Sequence, residues 1–229
     1  MIRPTPEQQA ILDTPLEPLR ISAGAGTGKT TTVALYVADL TARRDLDPES
    51  VLGLTFTNKA AAELSDRIRT LIAPLAGPGR EAEVHTYHGF AAQIIREFGA
   101  LVGIEREAGL ITPTFSRQLL YQVVQHRPFQ HFDPTWAGSI DRIQRLGSAL
   151  GDHLADPDEV AKGATAEEPW PERLELLAAW KDYQHEKQRL GVVDYADLIA
   201  AGVRLLSEHP SVATRIRNRY SVVLLDEYQ

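Results

Sequence analysis

Cysteine is absent from all 229 residues. That excludes disulfides and thiolate metal sites. No apolar run approaches the length needed to span a bilayer. Residues 1–9 lack the apolar core of a secretory signal. Together these absences give the expectation of a cytoplasmic protein with no membrane partner. Positive charge is also scarce. Lys and Arg number 24 against 31 Asp and Glu, a formal net charge of −7. A wholly basic protein that coats nucleic acid is therefore excluded. A local strand-binding groove of aromatics and backbone groups is not. Internal repeats and low-complexity segments are missing too. What is present is an ordinary mix, 43% hydrophobic and 24% charged, in a chain long enough for one large domain or two small ones.

The stretch that organises the chain is Ala23-Gly24-Ala25-Gly26-Thr27-Gly28-Lys29-Thr30. It follows an apolar run at 19–22 with strand character and opens a helical run at 30–40. A glycine-rich turn between strand and helix aims several backbone N–H groups at one spot. Glycine lets that backbone approach an anion with no Cβ in the way. The positive end of the helix adds to the attraction. Lys29 can reach the β- and γ-phosphates of a nucleotide, and Thr30 can offer its hydroxyl to Mg²⁺. The strict pattern asks for glycine where Ala23 stands. Upstream, Thr5, Pro6 and Gln8 form a helix start with a capping box. Gln8 also has the paired donor and acceptor that read an adenine edge, and one rotamer cannot fill both roles.

Further along, the run at 51–56 suits a buried parallel strand, and Asn58 is placed to cap a helix at 59–72. A turn-rich break follows at 74–80, then a short strand at 82–86 that enters a helix near Tyr87. Strand, helix, strand, helix at this spacing predicts a parallel sheet. From about 89 to 191 strand-like runs nearly vanish. Helices are expected at 90–102, 115–126, 136–150 and 172–190, punctuated by prolines. Asp194 caps a helix to 206, and another covers 211–219. An apolar strand at 221–225 then runs into Asp226-Glu227-Tyr228-Gln229. The domain reading is a first α/β segment at 1–88, a helical insert at 89–191 and a second α/β segment at 192–229.

An apolar strand ending in Asp-Glu is the partner a phosphate loop needs. Asp226 can hold Mg²⁺, directly or through water. Glu227 can orient and deprotonate the water that attacks the γ-phosphate. A solvated acidic turn is the alternative. Asn58-Lys59-Ala60-Ala61 lacks the aspartate of a guanine-reading motif, and a kinase has no need of a base beside its metal ligand. Hydrolysis of a nucleotide triphosphate is thus the favoured chemistry. His85 and His88 lie three apart, but no third ligand is evident and a metal site is not expected.

These residues resemble the N-terminal part of a superfamily 1 DNA helicase of the UvrD/Rep/PcrA type. Gln8 matches the family's adenine-reading glutamine, and the loop from Ala23 matches its phosphate loop, alanine included. Leu54-Thr55-Phe56-Thr57-Asn58-Lys59-Ala60-Ala61 resembles its first DNA-binding motif. Thr86-Tyr87-His88-Gly89-Phe90 resembles its second, with Tyr87 where phenylalanine is usual. Val193-Asp194-Tyr195-Ala196-Asp197-Leu198-Ile199 resembles a segment that follows the insert. Residues 224–229 resemble its Mg²⁺ motif.

The resemblance implies a RecA-like P-loop sheet interrupted by an all-helical subdomain. It implies an ATP-driven, Mg²⁺-dependent motor moving 3′ to 5′ on single-stranded DNA, active at single-strand/duplex junctions in repair or recombination. ATP would be held by Gln8 and by residues from Ala23 through Thr31. DNA would be held by Phe56, Thr57, Asn58, Thr86, Tyr87 and His88. An aromatic at a strand's C-terminal end suits base stacking. Burial in the core is the competing reading of Phe56 and Tyr87. Because the sequence stops inside the Mg²⁺ motif, the resemblance implies a fragment whose second RecA-like domain lies beyond Gln229. Two other functions stay open: the motor portion of a RecB- or Adn-like helicase-nuclease, and a nucleotide- and strand-binding module without turnover.

Overall fold

The computed structural model describes residues 4–24, 26–76, 79–136, 138–165, 167 and 169–226. Among them the strands are β1 (Val51–Thr55), β2 (Glu83–Thr86), β3 (Gly109–Leu110), β4 (Val192–Val193) and β5 (Val222–Leu225). The helices are α1 (Pro6–Leu12), α2 (Lys29–Arg44), α3 (Asn58–Ala76), α4 (Tyr87–Phe98) and α5 (Pro113–Gln125). They continue with α6 (Ser139–Asp152), α7 (Pro157–Lys162), α8 (Trp170–Arg189), α9 (Tyr195–Glu208) and α10 (Pro210–Arg219). The chain divides into two compact units, one of Met1–Phe90 with Ser211–Gln229 and one of Ala91–Pro210. It is a mixed α/β protein whose strand pairs are all parallel among the described residues.

In the first unit the sheet order is β2-β1-β5. The central strand β1 is buried along its whole length, as a parallel strand covered on both faces must be. Val51 and Val222 join α2 and α3 in one core through Val37, Leu40, Leu64, Ile68 and Ile72. Leu52 and Leu54 point the other way, to Tyr220 with Tyr87, Phe90 and Ile216. That split is the period-2 alternation of a strand. α1 starts at the expected capping box. Gln8 N–H donates to Thr5 Oγ1 at 3.3 Å, and Thr5 N–H donates to Gln8 Oε1 at 3.0 Å.

Three local expectations are corrected. Residues 19–22 pair with no strand among the described residues, and Leu19 is exposed. An extended segment becomes a strand only by finding a ladder partner, and both neighbours of β1 are already taken. The cap of α3 is Thr57 rather than Asn58: Ala60 N–H donates to Thr57 Oγ1 at 3.1 Å. Asn58 is the first residue of the helix itself. Finally, α3 runs through Pro74 to Ala76 instead of breaking at 74. Proline removes one helix bond there, and so near the C-terminus little helix is left to disrupt.

The second unit is built mostly from helices. Leu119, Leu120 and Val124 of α5, Ile140 and Ile143 of α6, and Leu176, Ala179 and Tyr183 of α8 share one core with Phe132. Gly147 lets α6 approach α8, since a Cβ there would meet the Trp180 ring at 2.3 Å. Glu175 accepts the backbone N–H groups of Gln130, His131 and Phe132 at 2.7–2.9 Å. Those bonds outweigh the effect of burial and hold its carboxyl below the ordinary range. The sequence pattern gave no sign of α7 or of the two-residue pair β3–β4. Six-residue helices and two-residue strands fall below the length at which periodicity can be read.

A buried ion cluster ties α8 to the start of α9. Lys187 is 2% exposed, and its Nζ lies 2.8 Å from Asp194 Oδ2 and 2.7 Å from Asp197 Oδ2. The same two carboxylates form the capping box of α9, with Asp197 N–H on Asp194 Oδ1 at 3.0 Å and Asp194 N–H on Asp197 Oδ2 at 2.8 Å. Burial pushes both carboxyls up. For Asp194 the ammonium outweighs burial and holds it below its usual value; Asp197, facing Asp194, stays raised.

Candidate nucleotide and strand-binding site

The glycine loop leads directly into α2. Gly28 is the N-cap of that helix at φ +90°, a conformation that an L side chain adopts only with strain. No side chain caps α2, so its first N–H groups stay oriented toward the loop. Thr27 closes the turn by donating Oγ1–H to Gly24 O at 2.8 Å. The Lys29 ammonium folds back over the loop and donates to Ala23 O at 3.3 Å. Thr30 and Thr31 follow in the first helical turn, half-buried. Ala25 and Glu227 lie outside the described residues.

Gln8 is joined to this loop through α2. Its Nε2 donates to Thr32 Oγ1 at 3.0 Å, and that hydroxyl donates to Gly28 O at 3.0 Å. Both ends of the amide are thus engaged, one in the capping box of α1 and one on α2. The structure adds a residue that nothing in the sequence singles out. Arg67 of α3 donates from Nη1 to Thr31 Oγ1 at 2.6 Å, which sets a guanidinium beside the loop helix. On the sequence it is one more charge on a solvated helix face.

The three strands end together. Thr55 pairs with Thr86 and Leu54 with Leu225 in register. Phe56, Tyr87 and Asp226 therefore follow at one edge of the sheet, where open parallel sheets place ligands. Residues 45–50 join the end of α2 to the start of β1, at the opposite edge. A helix of 16 residues lying on the sheet then runs back toward the strand ends with Lys29 and Thr30 at its leading turn.

Phe56 is 64% exposed, which removes the core reading for that ring. Its centroid is 5.1 Å from that of Tyr87, tilted by 57°. Tyr87 is half-buried against the Leu52–Leu54 face. Thr57 and Thr86 use their hydroxyls as helix caps, Thr86 accepting from Gly89 N–H at 3.0 Å. Asn58 and His88 are exposed. His85 stays with Glu83, 3.3 Å away, and no three metal-binding side chains cluster among the described residues. Burial raises the Glu83 carboxyl. Hydrogen bonds from Tyr220, Arg219 and His85 reverse that and hold it below its ordinary value. Asp226 N–H donates to Leu54 O at 2.9 Å, which extends the β1–β5 ladder to the acidic residue.

A parallel sheet with a glycine loop at a helix start and an acidic residue at a strand end places the chain in the broad class of α/β proteins built on a parallel sheet. Within it, the family model of the UvrD/REP helicase N-terminal domain matches residues 4–229, and the chain belongs to that family. It is 31% identical, over 229 aligned residues, to the ATP-dependent DNA helicase PcrA of Staphylococcus aureus. The PcrA of Staphylococcus epidermidis is 30% identical over the same length. Each alignment covers 97% of this chain and 29% of the relative. The chain thus spans less than a third of the length of these curated relatives.

Proposed function

We propose that this chain is the ATP-binding portion of an ATP-hydrolysing DNA helicase that moves 3′ to 5′ on single-stranded DNA. It acts at single-strand/duplex junctions, in the cytoplasm, in repair or recombination. Residues 1–88 and 192–229 form its RecA-like P-loop domain, and residues 89–191 form the inserted helical subdomain. The observation that carries the reading is a loop with φ > 0 at Gly26 and Gly28 and with Lys29 folded over it, in a chain of the UvrD/REP family.

ATP lies along Ala23, Gly24, Ala25, Gly26, Thr27, Gly28 and Thr31, with Gln8 at the base once its amide leaves the capping box. Lys29 binds the β- and γ-phosphates, and Arg67 adds a second cation from α3. The Thr30 hydroxyl and Asp226 carboxylate would hold Mg²⁺; both are hard oxygen donors, as that ion requires. Bound there, the ion neutralises phosphate charge. Glu227 orients the attacking water and takes its proton onto the carboxylate. Phe56 and Tyr87 stack bases, while Thr57, Asn58, Thr86 and His88 contact the strand backbone.

The test is DNA-stimulated ATPase with nucleotide binding measured in parallel. Lys29→Ala is expected to abolish hydrolysis. Glu227→Gln is expected to bind ATP yet turn over at least a hundredfold more slowly, in line with the ~10²–10⁴ that general base catalysis contributes. Normal turnover by Lys29→Ala would end the phosphate-loop reading.

A further inference from the structure

The side chain of Thr55 has no explanation in the fold. It is 0% exposed, and its Oγ1 is buried with no hydrogen-bond partner among the described residues. A hydroxyl sealed in that way is destabilising unless something completes it. Its location suggests what does. Thr55 lies on the same face of β1 as Val51 and Gly53, the face covered by α2 and α3. On β5, Val222 and Leu224 share that face. Alternation gives Asp226 the same face, and the β1–β5 register carried one residue further sets Asp226 opposite Thr55. Adjacent strands lie about 4.8 Å apart. Side chains opposite one another at that spacing can interact, yet the Thr55 hydroxyl has no protein partner among the described residues, which leaves the ligand shell at Asp226 as the group that can complete it. On the other side, Thr86 faces the same way, but its oxygen is committed to Gly89 N–H.

We propose that Thr55 is a positioning residue of the nucleotide site, its buried hydroxyl bonding a water of the Mg²⁺ hydration shell held at Asp226. This rests on the reading of Asp226 and Lys29 given above. Valine keeps the shape of Thr55 and removes only the oxygen, so Thr55→Val is expected to fold. Without nucleotide it should melt at a higher temperature than wild type, because an unmet polar group is gone.

The probe is a fluorescent ADP analogue, titrated with Mg²⁺ and, separately, in EDTA. Thr55→Val should raise the Mg²⁺ concentration for half-maximal binding about tenfold, the loss of one hydrogen bond in a charged shell. Binding in EDTA should not change, and Thr55→Ser should restore the wild-type Mg²⁺ midpoint. An unchanged midpoint in Thr55→Val would overturn the proposal, and so would equal weakening with and without Mg²⁺. Lys29→Ala separates the two readings. If it leaves binding intact, the nucleotide site itself is misplaced and Thr55 falls with it. If it abolishes binding while Thr55→Val behaves as wild type, only the role of Thr55 is refuted.

Discussion

Truncating Phe56 to alanine separates a strand-binding aromatic from a structural one. At 64% exposure only about a third of the ring is buried. Full burial of a Phe side chain is worth about 1.5–3 kcal/mol, so the packing lost is about 0.5–1 kcal/mol. The tilted pair with Tyr87 adds up to about 1 kcal/mol. Stacking on a base contributes about 1–3 kcal/mol, or roughly five- to 150-fold in Kd. Phe56→Ala is therefore expected to cost about 0.5–2 kcal/mol in stability and, unlike the loss of a packing residue, about five- to 150-fold in single-strand affinity. Tyr87→Ala is a poorer probe, since Tyr87 also packs toward Leu52, Leu54 and Tyr220. Fluorescence anisotropy on poly-dT and on mixed-sequence oligomers, at one fixed salt concentration, gives the affinity. A similar loss on both substrates is expected because every base has a stacking face. Unchanged affinity together with a lowered melting temperature would refute the argument and return Phe56 to a packing role.

Two further outcomes concern the second unit. Lys187→Met leaves the Asp194 and Asp197 carboxylates buried without their cation, and should cost about 3–5 kcal/mol in urea unfolding; a loss under about 1 kcal/mol would mean that the cluster is solvated. Glu175 has a folded pKa below its ordinary 4.5, so its contribution is present above that pH and disappears as the pH falls through the lowered folded value. The melting-temperature gap between wild type and Glu175→Gln should be full near neutrality and close under acid, and a gap that widens on acidification would contradict the assigned sign.

The features legible in the sequence were those set by local chemistry. The α1 capping box, the buried run of β1, the glycine loop before α2 and the Asp194 cap each depend on residues within a few positions of one another. Features set by tertiary partners were not legible. Residues 19–22 have strand composition, yet no ladder partner among the described residues. Thr57 and Asn58 are both good caps, and only the geometry at the end of β1 chose between them. Arg67 reaches Thr31 across 36 positions, and Lys187 of α8 reaches Asp194 and Asp197 at the start of α9. The missing partner of Thr55 cannot be inferred from composition, because threonine in a strand is ordinary.

Strand alternation sends adjacent residues of β1 to different tasks. Thr55 lies on the face that packs against α2 and α3, the side of the glycine-loop helix. Phe56 follows it past the strand's end and meets Tyr87, which packs with the opposite face. One peptide bond thus separates the residue assigned to the nucleotide from the residue assigned to the DNA. On β2, where Thr86 ends the strand and Tyr87 begins α4, both residues are assigned to the DNA. Only ψ of Thr55 and φ of Phe56 lie between those two residues of β1 and its end, so a shift of the strand end has a short path to the Phe56 ring. In a motor of the kind proposed above, whose grip on the strand depends on the state of its nucleotide, this adjacency at the end of β1 would meet that need without a relay of intervening side chains.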